Sequence, residues 1–177
     1  MPELRNEPIS TLRGSGIIAA LKEARVGTII TVPDITTSEG LLRPIAADPE
    51  LRHIPVCKED EGVGIGAGLS FCEERAVLLI QNTGLLDSIN AIRAVGVDYE
   101  LPICMMVGLL GKPPGLAPAD SDNCSVRIVE PILDAMNIEH HLLETEEDLA
   151  AIRPAIDKAY DTSCPVALLI GRRPLAE

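Results

Sequence analysis

AVLLIQNTGLLDSINAIRAVGVDYELPICMMVG, residues 76–108, holds two apolar runs, 76–81 and 102–108, separated by a segment whose apolar residues recur at helical spacing over 86–96. A strand, a helix and a second strand in that order read as a crossover unit, which brings the two strands side by side in parallel. The runs lack polar alternation. That is the pattern of strands covered by helices on both faces.

The same unit recurs outward in both directions. Further strand candidates are GTIITV (27–32), HIPVC (53–57), EHHLL (139–143) and PVALLIG (165–171), and helical segments fall at 10–26, 39–48, 61–72, 125–136 and 145–160. The predicted fold is α/β, three layers in α/β/α order around a six-stranded, mostly parallel sheet, in one domain over 1–177 with its core at about 10–171. At 177 residues and 46% hydrophobic content the chain can bury a full core. With no Trp, one Phe and two Tyr, that core is aliphatic.

A net charge of −12 opposes nucleic acid and anionic membranes, which both require a cationic field. The start MPELRNEPIS lacks the basic and apolar regions of a secretory signal, and no apolar run reaches the ~20 residues of a membrane span, so a cytoplasmic protein is expected. The five cysteines, Cys57, Cys72, Cys104, Cys124 and Cys164, form no C-x-x-C pair and read as reduced, mostly buried thiols. His140 and His141 are adjacent in a strand candidate, point to opposite faces and cannot chelate one metal together.

In open parallel sheets ligands bind beyond the carboxyl ends of the strands. The loops there are PDITTSEG (33–40), KEDEG (58–62), QNTGLLD (81–87) and LLGKPPGLAPADSDN (109–123). The last, broken by Pro113, Pro114 and Pro118, is a candidate lid. In CKEDEGVGIGAGLSF (57–71), Gly62, Gly64 and Ala67 match the dinucleotide fingerprint formally, but Glu59, Asp60 and Glu61 crowd the place of a pyrophosphate. Read structurally, Gly64, Ala67 and Gly68 make one flat helix face for a close crossing within the subunit or between subunits.

Taken together, VPD (32–34), EDEGVGIGAG (59–68) and QNTGLLDSINAI (81–92) resemble the pyrimidine-binding (PYR) domain of thiamine-diphosphate-dependent 2-oxo acid decarboxylases. The likeness is greatest to sulfopyruvate decarboxylase alpha subunits and to the N-terminal halves of phosphonopyruvate decarboxylases, and covers most of 10–170. It implies that Glu61 is the catalytic carboxyl, hydrogen-bonding N1′ of the cofactor's aminopyrimidine and activating it from a buried position. Gln81, Asn82 and Gly84 would adjoin the pyrimidine, and Asp34 the substrate. From the residues alone, Asp34 equally caps the following helix, Asn82 equally stabilises the turn before Gly84, and Glu59 or Asp60 stands in for Glu61 if the alignment slips.

The resemblance also implies Mg²⁺ and the cofactor's diphosphate held by a second domain through a G-D-G motif, which this sequence lacks. The chain then reads as half an enzyme, completed by a beta subunit carrying the diphosphate-binding (PP) domain, with homo-oligomers also expected. After the fourth strand, relatives carry Arg-Gly where this chain has Leu110-Gly111, leaving Lys112 as the nearby cation for an anionic 2-oxo acid. The rival readings are a thiamine-diphosphate carboligase or decarboxylase subunit for a non-sulfonate substrate, and a non-catalytic α/β interaction subunit.

Overall fold

The computed structural model describes residues 11–176; MPELRNEPIS, including Ser10 at the start of the first predicted helix, lies outside them. Six strands are present: β1 (Val26–Thr31), β2 (Arg52–Pro55), β3 (Arg75–Gln81), β4 (Cys104–Gly108), β5 (Glu139–Leu143) and β6 (Val166–Ile170). They form one sheet in the order β2-β1-β3-β4-β6-β5. Every pairing is parallel, so the mostly parallel expectation is sharpened to wholly parallel.

Two apolar layers flank the sheet. On one face α1 (Gly14–Glu23), α2 (Arg43–Ala47) and α8 (Ile152–Thr162) bury Ile17, Leu21, Ile45 and Ile156 against Ile29, Leu79 and Leu168. On the other, α3 (Glu59–Phe71), α4 (Asn82–Asp87), α5 (Ile89–Ala91) and α7 (Val129–Ala135) cover Ile30, Leu78, Val107 and Leu169. Strands β4 and β6 are buried at every position, which is why they read as unbroken apolar runs.

The helix predicted over 86–96 begins earlier and is broken. It starts at Asn82, because Gln81 takes the extended backbone of an N-cap, and it interrupts at Ser88, whose hydroxyl donates back to the Gly84 carbonyl at 2.7 Å. Residues Ile92–Asp98 continue as a π-helical stretch, as do Ser38–Leu42 before α2. The segment predicted over 125–136 is likewise two helices, α6 (Cys124–Arg127) and α7. His140 and His141 have separate partners, the Ile138 carbonyl and Glu139.

Three backbone segments meet at glycines on the α1 face. A Cβ on Gly14 would lie 1.6 Å from the Gly40 carbonyl oxygen, and one on Gly40 would lie 1.8 Å from that of Pro174. The chain after β6 is thereby laid against α1, with Leu175 N–H donating to the Leu12 carbonyl at 2.9 Å and Gly14 N–H to that of Leu175 at 2.8 Å.

The cysteines correct the sequence reading: Cys57, Cys72, Cys124 and Cys164 are exposed and only Cys104 is buried. Burial pushes the Cys104 thiol from its ordinary 9.0 up to about 12, and likewise pushes Tyr160 from 10.0 up to about 12. Both groups keep their protons in the native state where the unfolded chain would ionise. Their stabilising effect is therefore complete below pH 9 and is lost as pH rises towards 12. Iodoacetamide at pH 8 is expected to label the four exposed thiols of the isolated chain and to reach Cys104 only on unfolding. Native labelling of Cys104, read by peptide mass spectrometry, or urea stability unchanged between pH 9 and 11, would contradict this.

Candidate active site

All six strands point the same way, so the loops after β1, β2, β3 and β4 share the carboxyl edge of the sheet with the chain after β6. The connection after β1 runs to the α1 face and that after β3 to the opposite face. Neighbouring strands whose continuations diverge open a crevice, the usual position of a ligand in such sheets.

Glu61 is the third residue of α3 and is exposed. Its carboxylate accepts from the backbone N–H of Cys57 at 3.0 Å and Lys58 at 3.3 Å. It thus reaches back over the helix start as the acidic member of a capping box does. Glu59, Asp60 and Glu61 all fall in the first turn, where negative charge meets the positive end of the helix dipole. The carboxylates before the glycine run therefore have a local structural cause. The buried carboxyl implied by the resemblance is not present in the single chain.

The glycines divide differently from the predicted flat face. Ala67 is buried, whereas a Cβ on Gly64 or Gly68 would meet nothing within 4 Å, so no described element of this chain crosses there. Close approach occurs at Gly62, where a Cβ would lie 2.4 Å from Leu78 Cδ1 of β3. A second close approach joins two motifs: Glu59 lies on Gly84, whose Cβ would be 2.0 Å from Glu59 Oε1. Lys58 reaches the same helix, its ammonium 3.3 Å from Asp87. The structure therefore brings the EDEG and QNTG segments together, with Glu59 at the junction and Glu61 one step outward.

Gln81 is half-buried at the end of β3. Asn82 is fully buried; its amide donates to Ser125 Oγ at 3.0 Å and its carbonyl accepts from Leu110 N–H at 3.2 Å. It fastens the loop after β4 to α6, instead of stabilising its own turn. Asp34 is 2% exposed and accepts from Thr36 N–H at 2.9 Å, Thr37 N–H at 3.0 Å and the Thr37 hydroxyl at 2.8 Å. That is an Asx-type turn ahead of the helical segment, whose N-cap is Thr37 and which has no side-chain cap, so Asp34 does not cap it; the turn packs the carboxylate against Gly108 at the end of β4.

Lys112 has an internal partner. Its ammonium, with no side-chain exposure, lies 2.5 Å from Glu144 Oε1. Gly171 lies beneath this pair, where a Cβ would be 2.9 Å from Glu144 Cγ. The 109–123 loop is anchored at Lys112, Pro118 and Ser121, which are buried, and by Asn123 donating to the Leu110 carbonyl at 3.3 Å, while residues 113–117 are exposed.

Beside this loop lies a cavity of about 430 Å³ between the ends of β4 and β6, lined by Thr36, Leu110, Lys112, Arg172 and Arg173 among others. The two arginines were missed by the sequence reading, which sought cations only after the fourth strand. The available signal was GRR directly after a fully apolar strand.

Comparison with known proteins decides the family. No protein-family profile matches the chain. The sulfopyruvate decarboxylase subunit alpha of Methanocaldococcus jannaschii is 32% identical over 160 residues, spanning 89% of this chain and 93% of that protein. The chain belongs to the sulfopyruvate decarboxylase alpha-subunit family. The alpha subunit from Methanococcus maripaludis is 26% identical over 160 residues, covering 87% of this chain and 91% of its own length. A sulfopyruvate decarboxylase of Methanosarcina acetivorans matches 88% of this chain at 23% identity, yet only 39% of its own length. Alpha-family membership makes this chain a decarboxylase subunit and agrees with the resemblance carried by VPD, EDEGVGIGAG and QNTG. Among the described residues, no three or more His, Cys, Asp or Glu side chains are grouped to hold a metal, and no helix is long and apolar enough to cross a membrane.

Proposed function

We propose that this chain is the pyrimidine-binding alpha subunit of a two-chain, thiamine-diphosphate-dependent decarboxylase acting on a sulfopyruvate- or phosphonopyruvate-like 2-oxo acid. The observation that carries the proposal is an exposed carboxylate, Glu61, on the carboxyl edge of the sheet beside a helix face left open at Gly64 and Gly68. A planar ring can approach such a face without displacing side chains. The residues therefore fit the pyrimidine half of the cofactor.

Bound thiamine diphosphate supplies a carbon nucleophile for the keto carbon and a sink for the electron pair released as carbon dioxide leaves. The chain's own contribution is proton management and position. Glu61 would hold and exchange a proton at ring N1′, with Gln81 near the pyrimidine and Asn82 fixing the Leu110 segment beside it. Because Glu61 is exposed in the single chain, the burial that favours sharing its proton must come from the subunit that docks over it. On this reading Mg²⁺ and the diphosphate would be held by that beta subunit, in keeping with the lack of a G-D-G in these 177 residues.

The test is calorimetric titration of thiamine diphosphate with Mg²⁺ into the isolated chain and into the chain copurified with its partner. Binding is expected only in the copurified complex, together with release of carbon dioxide from a 2-oxo acid. Absence of binding in both samples would refute the cofactor assignment.

A further inference from the structure

The cavity between the ends of β4 and β6 has no part in the reading above. The two strands are neighbours, with Gly108 in register with Ile170, yet their continuations leave towards opposite faces. After β4 the chain turns to α6 and α7, while after β6 it is laid across α1 and Gly40. The divergence makes a second crevice on the carboxyl edge. Its volume of about 430 Å³ suits a small molecule.

The crevice is lined by Lys112, Arg172 and Arg173 with no carboxylate among its lining residues, whereas the arginine-lined cavity at the opposite edge of the sheet also contains Glu73 and Glu74. In a chain of net charge −12 the long-range field repels anions, so an anionic ligand requires a local concentration of cations. Lys112 is neutralised by Glu144, which leaves the exposed Arg173 guanidinium as the source of that charge. Arg173 is exposed and has no ion-pair partner among the described residues. Two further features make the position suitable: the segment carrying both arginines is held by the Gly14, Gly40 and Pro174 backbone contacts, and the cavity wall at Leu110 is bonded to Asn82 of the QNTG motif.

We infer that Arg172 and Arg173 bind the second anionic group of the substrate, a tetrahedral oxyanion such as a sulfonate or phosphonate. The planar guanidinium fork matches two oxygens of such a group, which a lysine point charge does not. These arginines would thus set specificity for a dianionic over a monoanionic 2-oxo acid. The word substrate rests on the decarboxylase reading; anion binding at this crevice does not.

The probe is 3-sulfopropanoate, which has both anionic groups but no keto carbon to react. Titrated into the copurified complex, it is expected to bind the wild type, to bind Arg173→Ala about 10- to 100-fold more weakly, and to regain part of the loss with Arg173→Lys. Thermal unfolding of the exposed-site variant Arg173→Ala should match the wild type. In turnover, the KM for sulfopyruvate should rise by a similar factor with kcat within about threefold, and the KM for pyruvate should not change. Failure of the wild type to bind the probe, or equal binding by wild type and the Arg172→Ala/Arg173→Ala variant, would overturn the assignment. Arginine-dependent probe binding without thiamine diphosphate binding or turnover would uphold the anion site and refute the decarboxylase reading. Sulfopyruvate turnover indifferent to both arginines would uphold the decarboxylase reading and refute their binding of the substrate.

Discussion

Glu61→Gln in the copurified complex is expected to slow carbon dioxide release by about 10²- to 10⁴-fold, the range for loss of a positioned proton-transfer group. The substitution isolates the chemistry because an amide carbonyl can still accept from the N–H groups of Cys57 and Lys58, so the start of α3 keeps its cap. Glu61→Ala loses both the proton and the cap. It should therefore add a fall in thermal stability that Glu61→Gln does not show. A Glu61→Gln complex with kcat within threefold of wild type would exclude Glu61 as the activating carboxyl. The parallel variant Glu59→Gln would then decide whether the carboxylate lying on Gly84 has that role.

Gly40→Ala is expected to cost about 3 kcal/mol, at the upper end of ordinary overpacking. A methyl group there would lie 1.8 Å from the Pro174 oxygen and 2.5 Å from its carbonyl carbon. Both atoms are backbone and no rotamer change can relieve the contact. For a domain of this size the loss corresponds to roughly 6–12 °C in Tm. Gly27→Ala, where a Cβ meets nothing within 4 Å, is the control and should be nearly neutral. If urea unfolding gave the two variants equal stability, the stacking of Gly14, Gly40 and Pro174 would not hold the terminal segment. Because Arg172 and Arg173 precede that segment, surviving Gly40→Ala complex should also bind 3-sulfopropanoate more weakly.

Much of the fold was legible because the central strands β3, β4 and β6 are buried on both faces. AVLLIQ and PICMMVG read as apolar runs for the same reason that Val77, Leu79, Met105 and Val107 are inaccessible to solvent. The irregular helices were not legible. The break at Ser88 depends on one hydroxyl finding the Gly84 carbonyl, and serine is equally compatible with an exposed position on an unbroken helix. The cysteines were misread because residue type alone predicts burial, whereas only Cys104 sits on a central strand.

The candidate site divides in the same way. Motif order along the chain marked Glu61, Gln81, Asn82 and Asp34, and a parallel sheet put their loops on one edge. Long-range side-chain partners were beyond reach of the sequence. Asp34 bonds locally to Thr36 and Thr37, whereas that Lys112 meets Glu144 over Gly171 and that Glu59 lies on Gly84 are contacts between groups whose separation depends on strand order and packing.

By itself the sequence determined the class of fold, the six strands and the edge on which the candidate site lies, because the burial of the central strands and the alternation of strand with helix are local, periodic properties. Only the tertiary structure decided which charges are already paired and which face the cavity. The pairing of β4 with β6 brings Arg172 and Arg173 beside Leu110 and Lys112, and strand order is set by how whole helices cover the sheet, a long-range property that no short stretch of sequence records.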